Sequence, residues 1–330
     1  TQVCITVDIE FSITGAFAAP DRYSPLADEP VECLVDGKEQ GLGFILDSLA
    51  RYDASATFFT ETLQTAYFGD APMAKFAKRI ANAGHDIQLH LHPCWLHFRD
   101  ENWRLAGFQP NDFCSGKTDA ELDEMIRLGI EAFSRWGVER PVALRTGGFR
   151  TDRAVYRAMM RAGLDLASNI GLAVFEPEDQ ALRLWGGHHD IDGVLEDPVL
   201  AYRTPGWGLR KHNWRQLAIT ATSQGEMEAL LRASRLNRAP SVVILTHPFE
   251  FVRQKGVRYE RLQINHVNQA RFLHVLEFLQ RNSDDFEIVT FGGRRRDWCQ
   301  AGTIQTSPLQ TPAHLAILRS VQNKLNDFAS

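Results

Sequence analysis

The chain has 330 residues, of which 44% are hydrophobic and 23% charged, as in an ordinary soluble globular protein. Its formal net charge of −5 argues against a nucleic-acid-binding protein, because no broad basic surface is implied. Five cysteines without a CxxC pair, no signal peptide and no apolar run near the ~20 residues of a membrane span predict a cytoplasmic protein. Because the first residue is Thr rather than Met, a removed leader stays an alternative.

Strands and helices alternate along the chain. Short β-branched and apolar runs predict strands at residues 4–7, 56–59, 86–92, 141–145, 194–199, 242–247 and 286–290. Periodic apolar residues predict helices at residues 41–52, 73–83, 118–136, 152–162, 225–235 and 267–281. This alternation predicts an α/β fold with parallel strands and outer helices, formed by residues 1–299. We expect residues 300–330 to form a linker and a C-terminal helix that docks on this domain or on a second copy.

Chelating residues follow two of the predicted strands. Asp8 and Glu10 end the first strand and are spaced by two, so both lie on one face of it. His90 and His92 end the strand at residues 86–92 in the same way. Carboxylates and imidazoles at neighbouring strand ends can hold a divalent metal beside a free base. The alternative is that the carboxylates cap the following loop and that the histidines are ordinary strand residues.

The chain carries further motifs that occur together in a known family. They are Thr6-Val7-Asp8-Ile9-Glu10, Ala56-Thr57-Phe58-Phe59, Gly84-His85-Asp86-Ile87-Gln88-Leu89-His90, Arg145-Thr146-Gly147-Gly148-Phe149-Arg150 and Leu245-Thr246-His247. With these motifs, residues 3–293 resemble the NodB-like polysaccharide deacetylases, carbohydrate esterase family four, and most of all a divergent WbmS-type subgroup associated with surface-polysaccharide loci. Arg150 is an additional candidate anion contact, with an ordinary surface arginine as the alternative.

The resemblance implies an irregular (β/α) barrel of the NodB type with about seven parallel strands. It also implies a role for each motif residue. Asp8 would be the general base, Arg145 would orient it, and His247 would be the general acid. Glu10 and His90 would bind a divalent metal, for which zinc is the first expectation.

One position departs from the family pattern. Four residues after His90, where the family has its second metal histidine, this chain has Cys94. His92 is favoured as the third ligand, because His-x-His-Pro can present two imidazoles on one side. Cys94 stays a competing ligand, since a thiolate binds zinc well.

The function that the resemblance implies is metal-dependent removal of an N-acetyl or O-acetyl group from a sugar or oligosaccharide in surface-polysaccharide biosynthesis or modification. Hydrolysis of a non-sugar amide or C–N bond and a catalytically inactive carbohydrate-binding relative are the alternatives. Aromatic side chains that could stack on a sugar, or simply pack, are Trp95, Phe98, Trp103, Phe108, Phe113, Tyr202, Trp207 and Trp214. No nucleic acid and no membrane span are expected, and a homo-oligomer could form through the C-terminal helix.

Overall fold

Parallel strands form the framework of the fold. The computed structural model describes residues 1–105, 110–205, 213–256 and 258–328. The strands are β1 (Gln2–Ile9), β2 (Thr57–Glu61), β3 (Asp86–Leu91), β4 (Ala143–Thr146), β5 (Leu166–Ala167), β6 (Val194–Glu196) and β7 (Ser241–Thr246). They pair in parallel in the order β7-β1-β2-β3-β4-β5-β6. A bridge between Val199, just after β6, and Val243 in β7 brings the two ends of this sheet together. The predicted irregular (β/α) barrel is confirmed.

Helices pack around the outside of the barrel. They are α1 (Leu42–Arg51), α2 (Ala71–Asn82), α3 (Asp119–Trp136), α4 (Arg153–Ala162), α5 (Gln224–Leu236), α6 (His266–Arg281), α7 (Phe291–Ala301) and α8 (Ala313–Phe328). The predicted capping box of α3 is present, since Thr118 accepts from the Glu121 backbone and Glu121 caps Thr118 in return. Strand β5 is not among the strands predicted from the sequence, because a strand of two residues is too short to show a periodic pattern.

Shorter elements connect this framework. The remaining strands are Leu34–Val35, Lys38–Glu39, Gly187–Ile191, Ala201–Thr204, Asn213–Gln216, Val252–Gln254, Leu262–Ile264, Glu287–Ile288, Ile304–Gln305 and Leu309–Gln310. Short helices and 3-10 turns lie at Glu29–Glu32, Thr65–Phe68, Pro93–Arg99, Trp103–Leu105, Gly147–Phe149, Gln180–Leu182 and Pro248–Phe251. The predicted strand at residues 286–290 is shorter than expected, and it pairs with the start of β1.

The alternation of β1 decides which side chains enter the barrel. Val3, Ile5 and Val7 pack in the large cluster under the helices, whereas Cys4 belongs to the second, smaller cluster. Burying each of these branched side chains stabilises the fold by about 1.5–3 kcal/mol. Because side chains alternate along a strand, Asp8 lies on the same face as Cys4, at the carboxyl end of β1.

Two short strands join residues 300–330 to the rest of the molecule. Ile304–Gln305 pairs antiparallel with Gly187–Ile191, and Leu309–Gln310 pairs in parallel with Ala201–Thr204. The segment expected to be a linker therefore adds to two sheets. The division of the chain at residue 299 stays a prediction.

The C-terminal helix α8 docks on the barrel domain. Its Arg319 Nε lies 3.4 Å from Oε2 of the buried Glu226, and Arg319 also donates to the carbonyl of Ala221. Its opposite side exposes the apolar side chains of Ile317, Leu318 and Val321. Within the described ranges, no helix combines the length and the apolar character needed to cross a membrane.

Candidate active site

The candidate residues predicted from the sequence gather at the carboxyl ends of the barrel strands. Asp8 lies near the end of β1, and Glu10 follows that strand directly. His90 is in β3, Arg145 is in β4, and His247 comes immediately after β7. The carboxyl ends of parallel strands meet at one edge of a barrel, which brings these side chains together although up to 239 positions separate them in the sequence.

Asp8 and Arg145 form a buried ion pair. The Arg145 Nη1 group donates to Asp8 Oδ1 at 2.6 Å, and both side chains are almost completely removed from solvent. Arg145 also donates to the carbonyl and the hydroxyl of Ser168, and its guanidinium lies 4.1 Å from the centre of the Phe59 ring. These contacts fix one carboxylate oxygen of Asp8 and leave Oδ2 facing His247.

Glu10, His90 and His92 converge on one point. Glu10 Oε2 lies 2.8 Å from His92 Nε2 and 3.6 Å from His90 Nε2. The three ligand atoms lie within 4.8 Å of one another. Two ligands of a tetrahedral zinc ion, each ~2.1 Å from the metal, are about 3.4 Å apart, so the spacing suits a metal.

The other ring nitrogen of each histidine is held by an acceptor. His90 Nδ1 donates to the carbonyl of Arg145 at 2.9 Å, and His92 Nδ1 donates to Asp112 Oδ2 at 2.6 Å. Such contacts orient metal-binding histidines and turn their Nε2 atoms toward the ion. Asp112 follows no predicted strand, and no motif in the sequence marks it as a partner of His92.

The pKa of His92 shows how this group behaves without an ion. Burial lowers the pKa of His92, but the carboxylates of Glu10 and Asp112 outweigh burial and raise it well above its usual range. Burial raises the pKa of Glu10, but His92 and His90 outweigh that effect and lower it well below its usual range. The two residues therefore form an ion pair, and binding of a metal at Nε2 would release the His92 proton.

Cys94 does not join Glu10 and His90. It belongs to a second group of potential ligands with His92 and Asp112, on the other side of the His92 ring. Burial, with Asp112 nearby, raises the pKa of the Cys94 thiol well above its usual range. Of the two competing ligands, only His92 joins Glu10 and His90, whereas Cys94 lies in the second group.

The His247 imidazole lies close to three carboxylates, those of Asp8, Glu10 and Glu250. Its Nε2 atom lies 3.8 Å from Asp8 Oδ2 and 4.0 Å from Glu10 Oε1, and Nδ1 lies 3.0 Å from Glu250 Oε1. Burial lowers the pKa of His247, but Glu250, Asp8 and Glu10 outweigh burial and raise it to about 9. His247 therefore carries a proton at neutral pH.

Glu61 is a buried carboxylate at the end of β2 and belongs to none of the motifs found in the sequence. It accepts from the backbone N–H groups of Leu63, Gln64 and His92. Burial raises the pKa of Glu61 to about 8, although these N–H groups oppose the rise. Glu61 therefore ties the turn after β2 to the backbone of His92.

Gly147 leaves room for the His92 ring. A Cβ atom at this position would lie 2.4 Å from both Cε1 and Nδ1 of that ring. Real Cβ atoms do not approach so closely, so a side chain here would displace His92. The glycine that follows β4 is therefore needed for the observed position of the His92 ring.

A cavity of about 310 Å³ opens over the convergent groups. Its lining includes Glu10, His92, Asp112, Phe249 and Tyr259. The Phe249 ring stacks on His247, with centres 4.9 Å apart, and is half-buried. The cavity is at the small end of the range for ligand sites.

The aromatic residues expected to flank a sugar are distributed differently. Among them, Trp95 lines the cavity, Tyr202 is fully buried in the core, and Trp214 stacks on Trp185. Phe108 and Trp207 lie outside the described residues. Phe249 and Tyr259, which do line the cavity, are not among the aromatic residues that the sequence predicted to flank a sugar.

No protein-family model and no curated protein matches the chain. Among solved structures, a protein from Mycobacterium smegmatis described as a polysaccharide deacetylase matches with a TM-score of 0.56 and 17% identity, over 93% of this chain and 94% of that one. This likeness shows the fold. A family 4 acetyl xylan esterase from Clostridium thermocellum in complex with a cobalt ion has a TM-score of 0.42 and 12% identity, over 88% and 89% of the two chains. A pseudoenzyme of carbohydrate esterase family 4 from Bacillus anthracis has a TM-score of 0.43 and 9% identity, over 94% of this chain and 69% of that one.

Proposed function

We propose that this chain is a metal-dependent hydrolase that removes an N-acetyl or O-acetyl group from a sugar during biosynthesis or modification of a surface polysaccharide. One observation carries the proposal: three potential metal-ligand atoms, an arginine-held carboxylate and the His247 imidazole meet at one edge of the barrel. The shared fold with a protein described as a polysaccharide deacetylase supports it.

The donor set fits a divalent metal, and zinc is the first choice. Glu10, His90 and His92 offer one oxygen and two nitrogens, and both imidazoles have a second contact that orients them. When bound there, the ion would supply Lewis acidity to the substrate carbonyl and lower the pKa of a bound water.

The remaining groups move protons. Asp8 is held by Arg145 through Oδ1, so Oδ2 is the atom that accepts the proton of the attacking water. His247 then donates its Nε2 proton to the departing amine nitrogen of an acetamide, or to the alcohol oxygen of an acetate ester. The C–N or C–O bond breaks, and the products are acetate and the free amine or hydroxyl.

The cavity favours a sugar over a non-sugar amide. The half-buried rings of Phe249 and Tyr259 line the same space as Glu10 and His92, so a pyranose that stacked on them would lie beside the candidate ligands. A catalytically inactive relative would need neither the Asp8–Arg145 pair nor the proton on His247.

The proposal is tested by acetate release from N-acetylated and O-acetylated chito- and xylo-oligosaccharides after reconstitution with zinc. We expect release by the wild type and a loss of at least about 100-fold with Asp8→Asn, which removes the base. Arg157→Gln, which changes an exposed arginine in the middle of α4, is the matched control and should keep wild-type activity. Equal rates for wild type and Asp8→Asn would contradict the mechanism.

Action in the cytoplasm and a homo-oligomer formed through α8 are parts of the proposal. Five free cysteines support a reducing compartment. The exposed Ile317, Leu318 and Val321 side chains support a contact between copies. Light scattering on the wild type and on Leu318→Glu would show whether α8 mediates assembly.

A further inference from the structure

Arg150 is held between two aromatic rings, an arrangement that we call the arginine clamp. Its guanidinium carbon lies 4.3 Å from the centre of the Phe113 ring and 4.3 Å from that of the Phe175 ring. Rings at this distance attract the cation and restrict its side chain. The planar group is therefore positioned before any ligand arrives, and its N–H edge is left for other partners.

Among the residues that the structure describes, Arg150 has no carboxylate partner. The acidic residues nearest to the clamp along the chain are engaged elsewhere. Asp112, next to Phe113, accepts from His92 and from the Cys94 backbone. Asp152 caps the start of α4, and Glu176, next to Phe175, pairs with Arg183. The clamp therefore holds a charged donor whose protein acceptors are missing.

The clamp is built from the segments that build the metal group. Phe113 directly follows Asp112, the residue that orients His92. Arg150 ends the turn that starts at Gly147, which packs against the His92 ring. Three residues of chain span at most about 11 Å, so the backbone of Arg150 lies within about 11 Å of that of Gly147. A substrate larger than a single acetamido group could extend from the candidate ligands toward the clamp.

We propose that Arg150 binds an anionic group of the substrate, a carboxylate or a phosphate, and so selects acetylated sugars that carry one. This inference rests on the proposed function and names the substrate class within it. A guanidinium edge donates two parallel hydrogen bonds to either oxyanion, which neutral sugars cannot accept in the same way. The half-exposed Phe113 ring, 39% accessible, offers a face beside that anion for an adjoining ring of the ligand.

Equilibrium binding to zinc-reconstituted protein, measured by titration calorimetry, tests the inference without requiring turnover. The probes are N-acetylglucosamine as the neutral sugar, UDP-N-acetylglucosamine as the phosphate source and N-acetylglucosaminuronic acid as the carboxylate source. The variants are Arg150→Gln and Arg150→Lys, which keeps the charge but loses the planar edge. Arg22→Gln is the matched control, because Arg22 is exposed and lies over a single ring, that of Tyr23.

We expect the wild type and Arg22→Gln to bind one of the two anionic sugars more tightly than the neutral one. Arg150→Gln should weaken that binding by about 10- to 100-fold, and Arg150→Lys should restore only part of it. Binding of the neutral sugar should stay unchanged, and far-UV circular dichroism should show that each variant is folded. The anionic sugar that binds more tightly shows whether the Arg150 site prefers a phosphate or a carboxylate.

The inference is overturned if the wild type binds both anionic sugars no better than the neutral one, or if Arg150→Gln weakens all three equally. Acetate release is followed in the same samples. Arg150-dependent binding without acetate release would contradict the proposed hydrolysis and leave the anion site supported. Acetate release together with sugar binding that does not depend on Arg150 would support the proposed hydrolysis and contradict the anion site.

Discussion

Replacing Gly147 by alanine should disturb the metal site through a single atom. The new Cβ would lie 2.4 Å from two atoms of the His92 ring, whereas carbon atoms in contact are ~3.5–4 Å apart. The ring would have to move by about 1 Å. Alanine is otherwise compatible with the backbone here, because Gly147 is not among the glycines with positive φ.

A shift of that size breaks two contacts of His92. Its Nδ1–Asp112 distance is 2.6 Å and its Nε2–Glu10 distance is 2.8 Å, and ligand positions in a metal site tolerate only a few tenths of an ångström. Losing an orienting contact alone costs ~10- to 100-fold in metal affinity. We therefore expect Gly147→Ala to weaken zinc binding by at least about 10-fold and to lower the free energy of unfolding by roughly 1–3 kcal/mol.

Competition with a coloured chelator measures the zinc affinity, and urea unfolding measures the stability. The matched control is the same substitution in a His92→Ala background, where the ring is gone. In that background Gly147→Ala should lower the free energy of unfolding only slightly. The difference between the two backgrounds is the coupling energy between positions 92 and 147, and it should be large. Wild-type zinc affinity of Gly147→Ala, or an equal stability cost in both backgrounds, would refute the reasoning.

Three further substitutions test two contacts of the candidate site and one buried carboxylate outside it. Asp112→Asn should weaken zinc binding about 10- to 100-fold, measured by chelator competition, because the amide orients His92 less well. Hydrolysis should decline as pH rises through about 9, where His247 loses its proton, and in Glu250→Gln the pH–rate profile should decline at lower pH, because a carboxylate that raises this pKa is gone. Burial raises the pKa of Glu196 to about 7, so the folded chain retains a proton that the unfolded chain releases above pH ~4.3. The free energy of unfolding should therefore decrease as pH rises from about 4 to 7, and urea unfolding of Glu196→Gln should show a smaller decrease.

The framework of this fold was accessible from local patterns. The alternation of β1 predicts a buried strand with Asp8 at its end, and the capping box of Thr118 and Glu121 predicts the start of α3. These features depend on neighbours within a few residues. The resemblance of the motifs to NodB-like deacetylases added the barrel, which the strand order confirms.

The supporting contacts of the site were not accessible in the same way. Asp112 reaches His92 across 20 positions from an irregular segment, where no periodicity indicates which way a side chain points. Gly147 matters because the His92 ring, which follows β3, lies against it, and the sequence around Gly147 does not identify that neighbour. In the sequence, Glu61 is a single polar residue at the end of a strand. Only the structure shows that backbone N–H groups of the next turn donate to its carboxylate.

Metal content after reconstitution, measured on the wild type, His92→Ala and Cys94→Ala side by side, is the direct test of whether Glu10, His90 and His92 hold a divalent metal. We expect about one zinc-type ion in the wild type and in Cys94→Ala, and a large loss of metal in His92→Ala, because Cys94 does not join the other two ligands. A wild type that binds no divalent metal, or loss of metal in Cys94→Ala alone, would contradict this ligand set.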